Sequence, residues 1–217
     1  DNKSTYESTW TYYKQRIREK HNHYIKTAPY SVLKVFEQVL KVIPDFSEVQ
    51  FSNSAIIRYS QLFEMNSTFT VFCNRGTSGI DGSTSTALGA AYATQKPTTL
   101  ITGDLSFFYD SNALWYNYIS TDVRIIIINN SGGGIFKIIP GPKKSSALEY
   151  FETPHCLTAE HLCSMFGFEY STAYNLNSLE EEVVNFYKKS DKPKILEIFT
   201  PSDQNDLVLK AYINNLK

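Results

Sequence analysis

The stretch VRIIIINNSGGGIF, residues 123–136, decides the fold. Four consecutive isoleucines follow Val123 and Arg124 with no polar alternation, so the strand they predict must be covered on both faces. Such a strand belongs in the middle of a parallel sheet with helices on either side. The run then breaks into Asn129, Asn130, Ser131 and three glycines, Gly132 to Gly134. Two amides and a loop almost without side chains therefore stand at a strand's carboxyl end, where sheets of this kind bind their ligands.

Outward from this strand the pattern alternates. Strands are expected at 48–53, 68–73, 98–103, 169–174 and 192–200. Helices are expected at 29–43, 54–63, 83–95, 106–120, 158–167, 178–190 and 203–216, with a long loop over 131–157. Val32, Val35, Phe36, Val39 and Leu40 recur at helical spacing, and Pro44 closes their helix. Ser178 is expected to open another, with acidic residues in its first turn. About six strand–helix alternations predict an α/β fold, a three-layer αβα sandwich on a mostly parallel sheet. The aromatic and basic stretch from Tyr6 to about His23 reads as a surface helix without a strand partner. Residues 1–28 are expected to be a lead-in from an upstream region, and 29–217 the ligand-binding domain.

Composition narrows the function. The chain has 217 residues, enough for one sizeable core, and its 42% hydrophobic content argues against disorder. With 21 basic and 22 acidic residues, no general field attracts nucleic acid or an anionic membrane surface. Any anionic ligand must be met by local groups. No segment approaches the ~18 consecutive apolar residues of a membrane span. Cys73, Cys156 and Cys163 are too few and too irregular for a disulfide framework or a four-ligand zinc site. They read as ordinary structural thiols of a cytoplasmic protein. The polar start, Asp1 to Trp10, has neither a signal-peptide pattern nor an initiator Met, which points to a piece of a longer protein.

The chemistry lies in the loops after Cys73, Thr102 and Ile128. Gly103 allows close backbone approach, Asp104 sets a carboxylate at a strand tip, and Ser106 is placed to open the next helix. A helix start of this kind attracts phosphate oxygens. A carboxylate beside phosphate makes sense when a divalent cation lies between them, since Mg²⁺ takes carboxylate, amide and phosphate oxygens. Asn130 follows Asp104 by 26 residues, a strand–helix–strand interval that brings both to neighbouring strand ends. Its amide oxygen and the bare Gly132 carbonyl complete a ligand set. There is no P-loop motif and no G-x-G-x-x-G after a strand.

These residues carry a resemblance. GDLS followed by NNSGGGIF resembles the motif of thiamine-diphosphate enzymes, and NSAIIR with NRGTSGIDGSTSTALGAA narrows it. The chain from about Phe51 onward is similar to the C-terminal, diphosphate-binding domain of the 2-succinyl-5-enolpyruvyl-6-hydroxy-3-cyclohexene-1-carboxylate synthases of menaquinone biosynthesis. The resemblance implies thiamine diphosphate as cofactor with Mg²⁺ or Mn²⁺ held by Asp104, Asn130 and the Gly132 carbonyl. It sets Gly103, Leu105 and Ser106 against the diphosphate and Ile80 under the bent cofactor. It assigns Ser54, Arg58 and Arg75 to substrate carboxylates and Ile135 and Phe136 to apolar contacts near the second substrate. Arginine suits that task, because both substrates, 2-oxoglutarate and isochorismate, are dicarboxylates. One position departs: Gly134 stands where the family's pattern often has Gln.

The family's reaction decarboxylates 2-oxoglutarate and adds the resulting succinyl carbanion to isochorismate. Its activating glutamate belongs to a separate pyrimidine-binding domain of another subunit, and Glu64, Glu149 and Glu152 match no such motif. The resemblance therefore implies no catalytic residue in these 217, a piece inactive alone, and a homodimeric or homotetrameric parent. Two rivals share the loops. Another thiamine enzyme, such as an acetolactate synthase, is disfavoured by GDLS and the arginine pair. A non-catalytic, flavodoxin-like phosphate-binding module leaves Asp104 an unexplained negative charge.

Overall fold

The computed structural model describes residues 4–217, so the first three residues of the expected lead-in lie outside it. Its six strands are β1 (Glu48–Phe51), β2 (Thr70–Cys73), β3 (Thr98–Gly103), β4 (Val123–Asn129), β5 (Glu169–Ala173) and β6 (Lys194–Phe199). They form one sheet in the order β2-β1-β3-β4-β6-β5, and every neighbouring pair is parallel. The isoleucine run is central, with β3 on one side and β6 on the other. From β1 the chain steps outward to β2, whereas from β3 it steps the opposite way to β4. The crevice between β1 and β3 is thus the switch point where a ligand fits.

The run of isoleucines is explained by its two neighbourhoods. Ile126 and Ile128 pack into a layer of large side chains from the helices α1 (Tyr6–Thr27), α2 (Val32–Val42), α3 (Ala55–Ser60), α9 (Leu176–Phe186) and α10 (Asn205–Leu216). Phe36 of α2 stacks there on Phe51 and Tyr59, with centroids 6.4 and 5.8 Å away. Ile125 and Ile127 face the other layer, built from α4 (Ser83–Thr94), α5 (Asp104–Tyr109) and α8 (Glu160–Phe166). All four are fully or almost fully buried, each contributing about 1.5–3 kcal/mol of transfer free energy. The small residues of α4, Ala87 and Ala91, let that helix lie close to the sheet.

Several local expectations are corrected. α5 begins at Asp104 with Gly103 as its cap residue, so Ser106 sits inside the first turn and does not open the helix. The helix expected over 106–120 ends at Tyr109. Asp110 leaves it to accept Ser85 N–H at 2.7 Å and Ser85 Oγ–H at 2.5 Å, and only a 3-10 turn, Ser111–Trp115, follows. The expected long loop over 131–157 contains α6 (Ile135–Ile138), a 3-10 turn (Pro142–Lys144) and α7 (Leu148–Glu152). These elements are too short for helical periodicity to register. Asn175 caps α9 and Ser178 reciprocates from the third position, a capping box. α1 runs past His23 to Thr27, because Ile25 is buried in the core, and Ala28 turns extended ahead of Pro29. Of the three thiols only Cys163 is buried; Cys73, on edge strand β2, and Cys156 are exposed.

Candidate functional site

All twelve candidate residues line one cavity of about 540 Å³ at the carboxyl end of the sheet, a size suited to a small ligand. Ser54 and Arg58 come from β1 and α3, Arg75 and Ile80 from the loop after β2, Gly103 to Ser106 from β3 and α5, and Asn130 to Phe136 from the end of β4. Parallel pairing of β3 with β4 sets Gly103 opposite Ile128, which brings Asp104 and Asn130 to adjoining tips.

Asp104 is 2% exposed. Its Oδ1 accepts Leu105 N–H at 2.8 Å and its Oδ2 accepts Gly132 N–H at 2.9 Å. Asp104 therefore ties the glycine loop to the start of α5. Burying a carboxylate costs free energy unless other charge or donors compensate it, and no Lys or Arg pairs with this one among the described residues. The ionisable neighbour is His155, whose Nε2 lies 3.3 Å from Oδ2. That nitrogen sits off the axis of a good hydrogen bond and counts as a buried polar atom without a partner. Nδ1 accepts Leu157 N–H at 3.1 Å, so the ring's remaining proton is on Nε2, facing the carboxylate. The carboxylate holds the His155 pKa above its ordinary value, against a smaller opposing effect of burial.

The glycine loop is shaped by close approaches. Gly132, at φ +145°, has no room for a side chain: a Cβ there would meet the Glu152 carbonyl at 2.5 Å. Gly133 N–H donates to the same carbonyl at 2.6 Å. A Cβ at Gly134 would press on the amide nitrogen of Asn130, so a larger residue there, such as the Gln of the family's pattern, requires that amide to turn. The Gly132 carbonyl accepts Gly134 N–H at 3.0 Å and keeps a second lone pair. No three His, Cys, Asp or Glu side chains cluster as a metal site among the described residues. A cation here would have one carboxylate, one amide and one carbonyl, leaving positions for ligand oxygens, as Mg²⁺ with a bound phosphate requires.

The other candidates are also placed by specific bonds. Ser106 Oγ–H donates to the Ile80 carbonyl at 2.5 Å and lies 3.3 Å from Ser83 Oγ, so it anchors the loop that carries Ile80. Ser54 holds φ 72° and ψ −129°, a region that strains any residue but glycine. Arg58 reaches back from α3 to its carbonyl at 2.7 Å. Arg75 bonds Ser78 Oγ, and Ser78 and Ser131 are also left-handed. Ile135 is 7% exposed, and Phe136 packs on Phe151 of α7 at 5.2 Å.

Sequence reasoning missed several lining residues. Asn53 is buried, donates Nδ2–H to the Ser78 carbonyl, and leaves its Oδ1 without a partner inside the cavity. Tyr109, Ile139 and Tyr150 also line the wall. Behind it, Glu197 of β6 is fully buried and accepts three bonds: Asn129 Nδ2–H at 2.8 Å, Ala159 N–H at 2.9 Å and Tyr170 O–H at 2.6 Å. Burial first, then the Glu197 hydrogen bond, pushes the Tyr170 pKa well above its usual value. A lone Glu in an apolar strand, ILEIF, was the available signal.

No family model matches the chain. The synthase called 2-succinyl-5-enolpyruvyl-6-hydroxy-3-cyclohexene-1-carboxylate synthase in Christiangramia forsetii is 51% identical over 94% of this chain and 36% of its own length. The proteins of that name in Flavobacterium johnsoniae and Flavobacterium psychrophilum are 51% and 53% identical over 93% and 91% of the chain, again 36% of theirs. A Mycobacterium smegmatis protein described as thiamin diphosphate-dependent superposes with a TM-score of 0.60 over 80% of this chain and 32% of its own, at 20% identity, a likeness of fold. The chain thus spans about a third of the length of the curated relatives it matches, and over that span it is similar to the 2-succinyl-5-enolpyruvyl-6-hydroxy-3-cyclohexene-1-carboxylate synthases.

Proposed function

We propose that this chain is the diphosphate- and metal-binding part of a cytoplasmic, homo-oligomeric synthase of menaquinone biosynthesis. The whole enzyme decarboxylates 2-oxoglutarate and adds the resulting four-carbon unit to isochorismate. The observation that carries the reading is Asp104: a buried carboxylate without a Lys or Arg partner among the described residues, at the switch point, sharing a cavity with Asn130 and the glycine loop. A cation held by Asp104 would answer its charge and accept a diphosphate; a bare phosphate would add to it.

Thiamine diphosphate, when bound, supplies the carbanion chemistry that no side chain here offers. The chain's own part is to hold and orient. The Asp104 carboxylate, Asn130 amide oxygen and Gly132 carbonyl would hold Mg²⁺ or Mn²⁺. Gly103, Leu105 and Ser106 would face the diphosphate, and Ile80 would support the cofactor from the loop that Ser106 anchors. Arg58 and Arg75, with Ser54, would grip substrate carboxylates, where bidentate pairing fixes orientation as well as affinity. Ile135 and Phe136 would exclude water beside the ring of the second substrate. Proton handling at the cofactor would fall to a pyrimidine-binding domain of another subunit.

The test uses the full-length protein. Consumption of both 2-oxoglutarate and isochorismate that needs thiamine diphosphate and Mg²⁺, and is lost in Asp104→Ala, supports the whole reading. Consumption of 2-oxoglutarate alone would keep the cofactor and refute the second substrate. Consumption of neither by a folded protein would refute the activity.

A further inference from the structure

Residues 153–159 form a short strap between α7 and α8 that the proposed metal and diphosphate contacts do not use. Its anchoring is unusually complete for a segment with no regular structure. Ala159 N–H donates to Glu197 Oε2 at 2.9 Å, and the Leu157 carbonyl accepts Asn129 Nδ2–H at 3.0 Å. His155 N–H reaches the Ser131 carbonyl at 3.3 Å. Asn129 closes the circuit, since its Oδ1 accepts Ser131 N–H at 2.9 Å while Nδ2 also donates to Glu197. One buried carboxylate thereby fixes both the strap and the start of the glycine loop.

The strap's group that faces Asp104 is the His155 imidazole. Its side chain is 10% exposed, and Phe108 meets it edge to face at 5.5 Å and 89°. Nδ1 is committed to Leu157 N–H, which fixes the tautomer and turns Nε2–H toward Asp104 Oδ2. We propose that His155 is a positioning residue for Asp104: the Glu197–Asn129 network holds its Nε2–H beside the carboxylate and so biases which oxygen lone pairs face the cation. The inference rests on the metal–diphosphate reading above. A histidine that merely filled the loop would have both ring nitrogens hydrogen-bonded or exposed. Here the uncommitted nitrogen is buried and stands 3.3 Å from the carboxylate that reading assigns to the metal. Groups in this outer position orient a ligand, and their loss typically weakens metal binding about 10–100-fold.

The experiment titrates Mg²⁺ into the full-length protein at saturating thiamine diphosphate, reading intrinsic fluorescence and calorimetric heat, not turnover. His155→Phe keeps a ring against Phe108 but removes the N–H. It is expected to raise the Mg²⁺ half-saturation roughly 10–100-fold while leaving the melting temperature without Mg²⁺ unchanged. His155→Gln, which restores an N–H at similar reach, is expected to recover most of the affinity. Should the phenylalanine variant misfold by circular dichroism, His155→Leu is read in its place. Wild-type Mg²⁺ affinity in the variant lacking the donor overturns the inference, and so does an equal loss in the Gln variant. Asp104→Ala run in parallel separates the two claims. If it retains Mg²⁺-dependent cofactor binding, the metal–diphosphate reading itself fails; if it loses binding while His155→Phe does not, only His155 is refuted.

Discussion

Two buried carboxylates, Asp104 at the tip of β3 and Glu197 within β6, live in contrasting surroundings. Glu197 is complete: three donors from Asn129, Ala159 and Tyr170 occupy its oxygens, and no solvent reaches it. Asp104 is incomplete: it takes two backbone N–H groups and a poorly aligned imidazole, and it lines an open cavity. The comparison separates scaffold from site. A carboxylate whose lone pairs are all answered within the chain holds structure together. One that is buried but under-answered at a switch point has lone pairs free for a ligand.

The contrast can be broken by exchanging the roles. Asp104→Asn has the largest expected effect on ligand binding: Mg²⁺-dependent cofactor affinity falls by more than about 100-fold, beyond the range of outer residues, while unfolding in denaturant hardly moves. A stability loss with retained Mg²⁺ response would make Asp104 a second scaffold carboxylate. Glu197→Ala should do the reverse, costing about 3 kcal/mol or more by leaving buried donors unpaired, which urea unfolding measures. Gly134→Ala, which pushes on the Asn130 amide, is expected to weaken Mg²⁺ binding about 10-fold, read by calorimetry. Ser54→Gly relieves a strained backbone and should stabilise the fold by about 1 kcal/mol, a gain that would be absent if Arg58 alone dictated that conformation. Smallest is a chemical contrast among thiols. Cys73 and Cys156 should alkylate in the native protein, whereas Cys163, pushed up to about 12 by burial, should react only on unfolding, as peptide mass mapping would show.

Much of this was legible because the physics is local. The isoleucine run announced a central strand, the Val32–Leu40 periodicity announced α2, and Pro29 and Pro44 bracketed it. The glycines, Asp104 and Asn130 stood out because they interrupt apolar strands at one end of the sheet. What stayed hidden depends on partners distant in sequence. Nothing near Asp110 shows that its carboxylate will leave a helix to bind Ser85. α6 and α7 are held by contacts such as the Lys137–Glu152 ion pair and the Phe136–Phe151 packing, not by periodicity. His155 reads as an ordinary polar residue beside a cysteine until Glu197 places its strap.

The all-parallel sheet bears on how a newly made chain reaches its working state. No neighbouring strands can zip together through a tight turn; each ladder must wait for an intervening segment to fold and return. The Asn129–Glu197 bond closes a gap of 68 residues, and the strap of His155 depends on the same late-arriving strand. High contact order of this kind slows folding. Competence for the proposed Mg²⁺ and cofactor binding should therefore appear after most helical signal has formed, in the slowest phase of refolding. Until then, unpaired strand edges and apolar faces are open to aggregation.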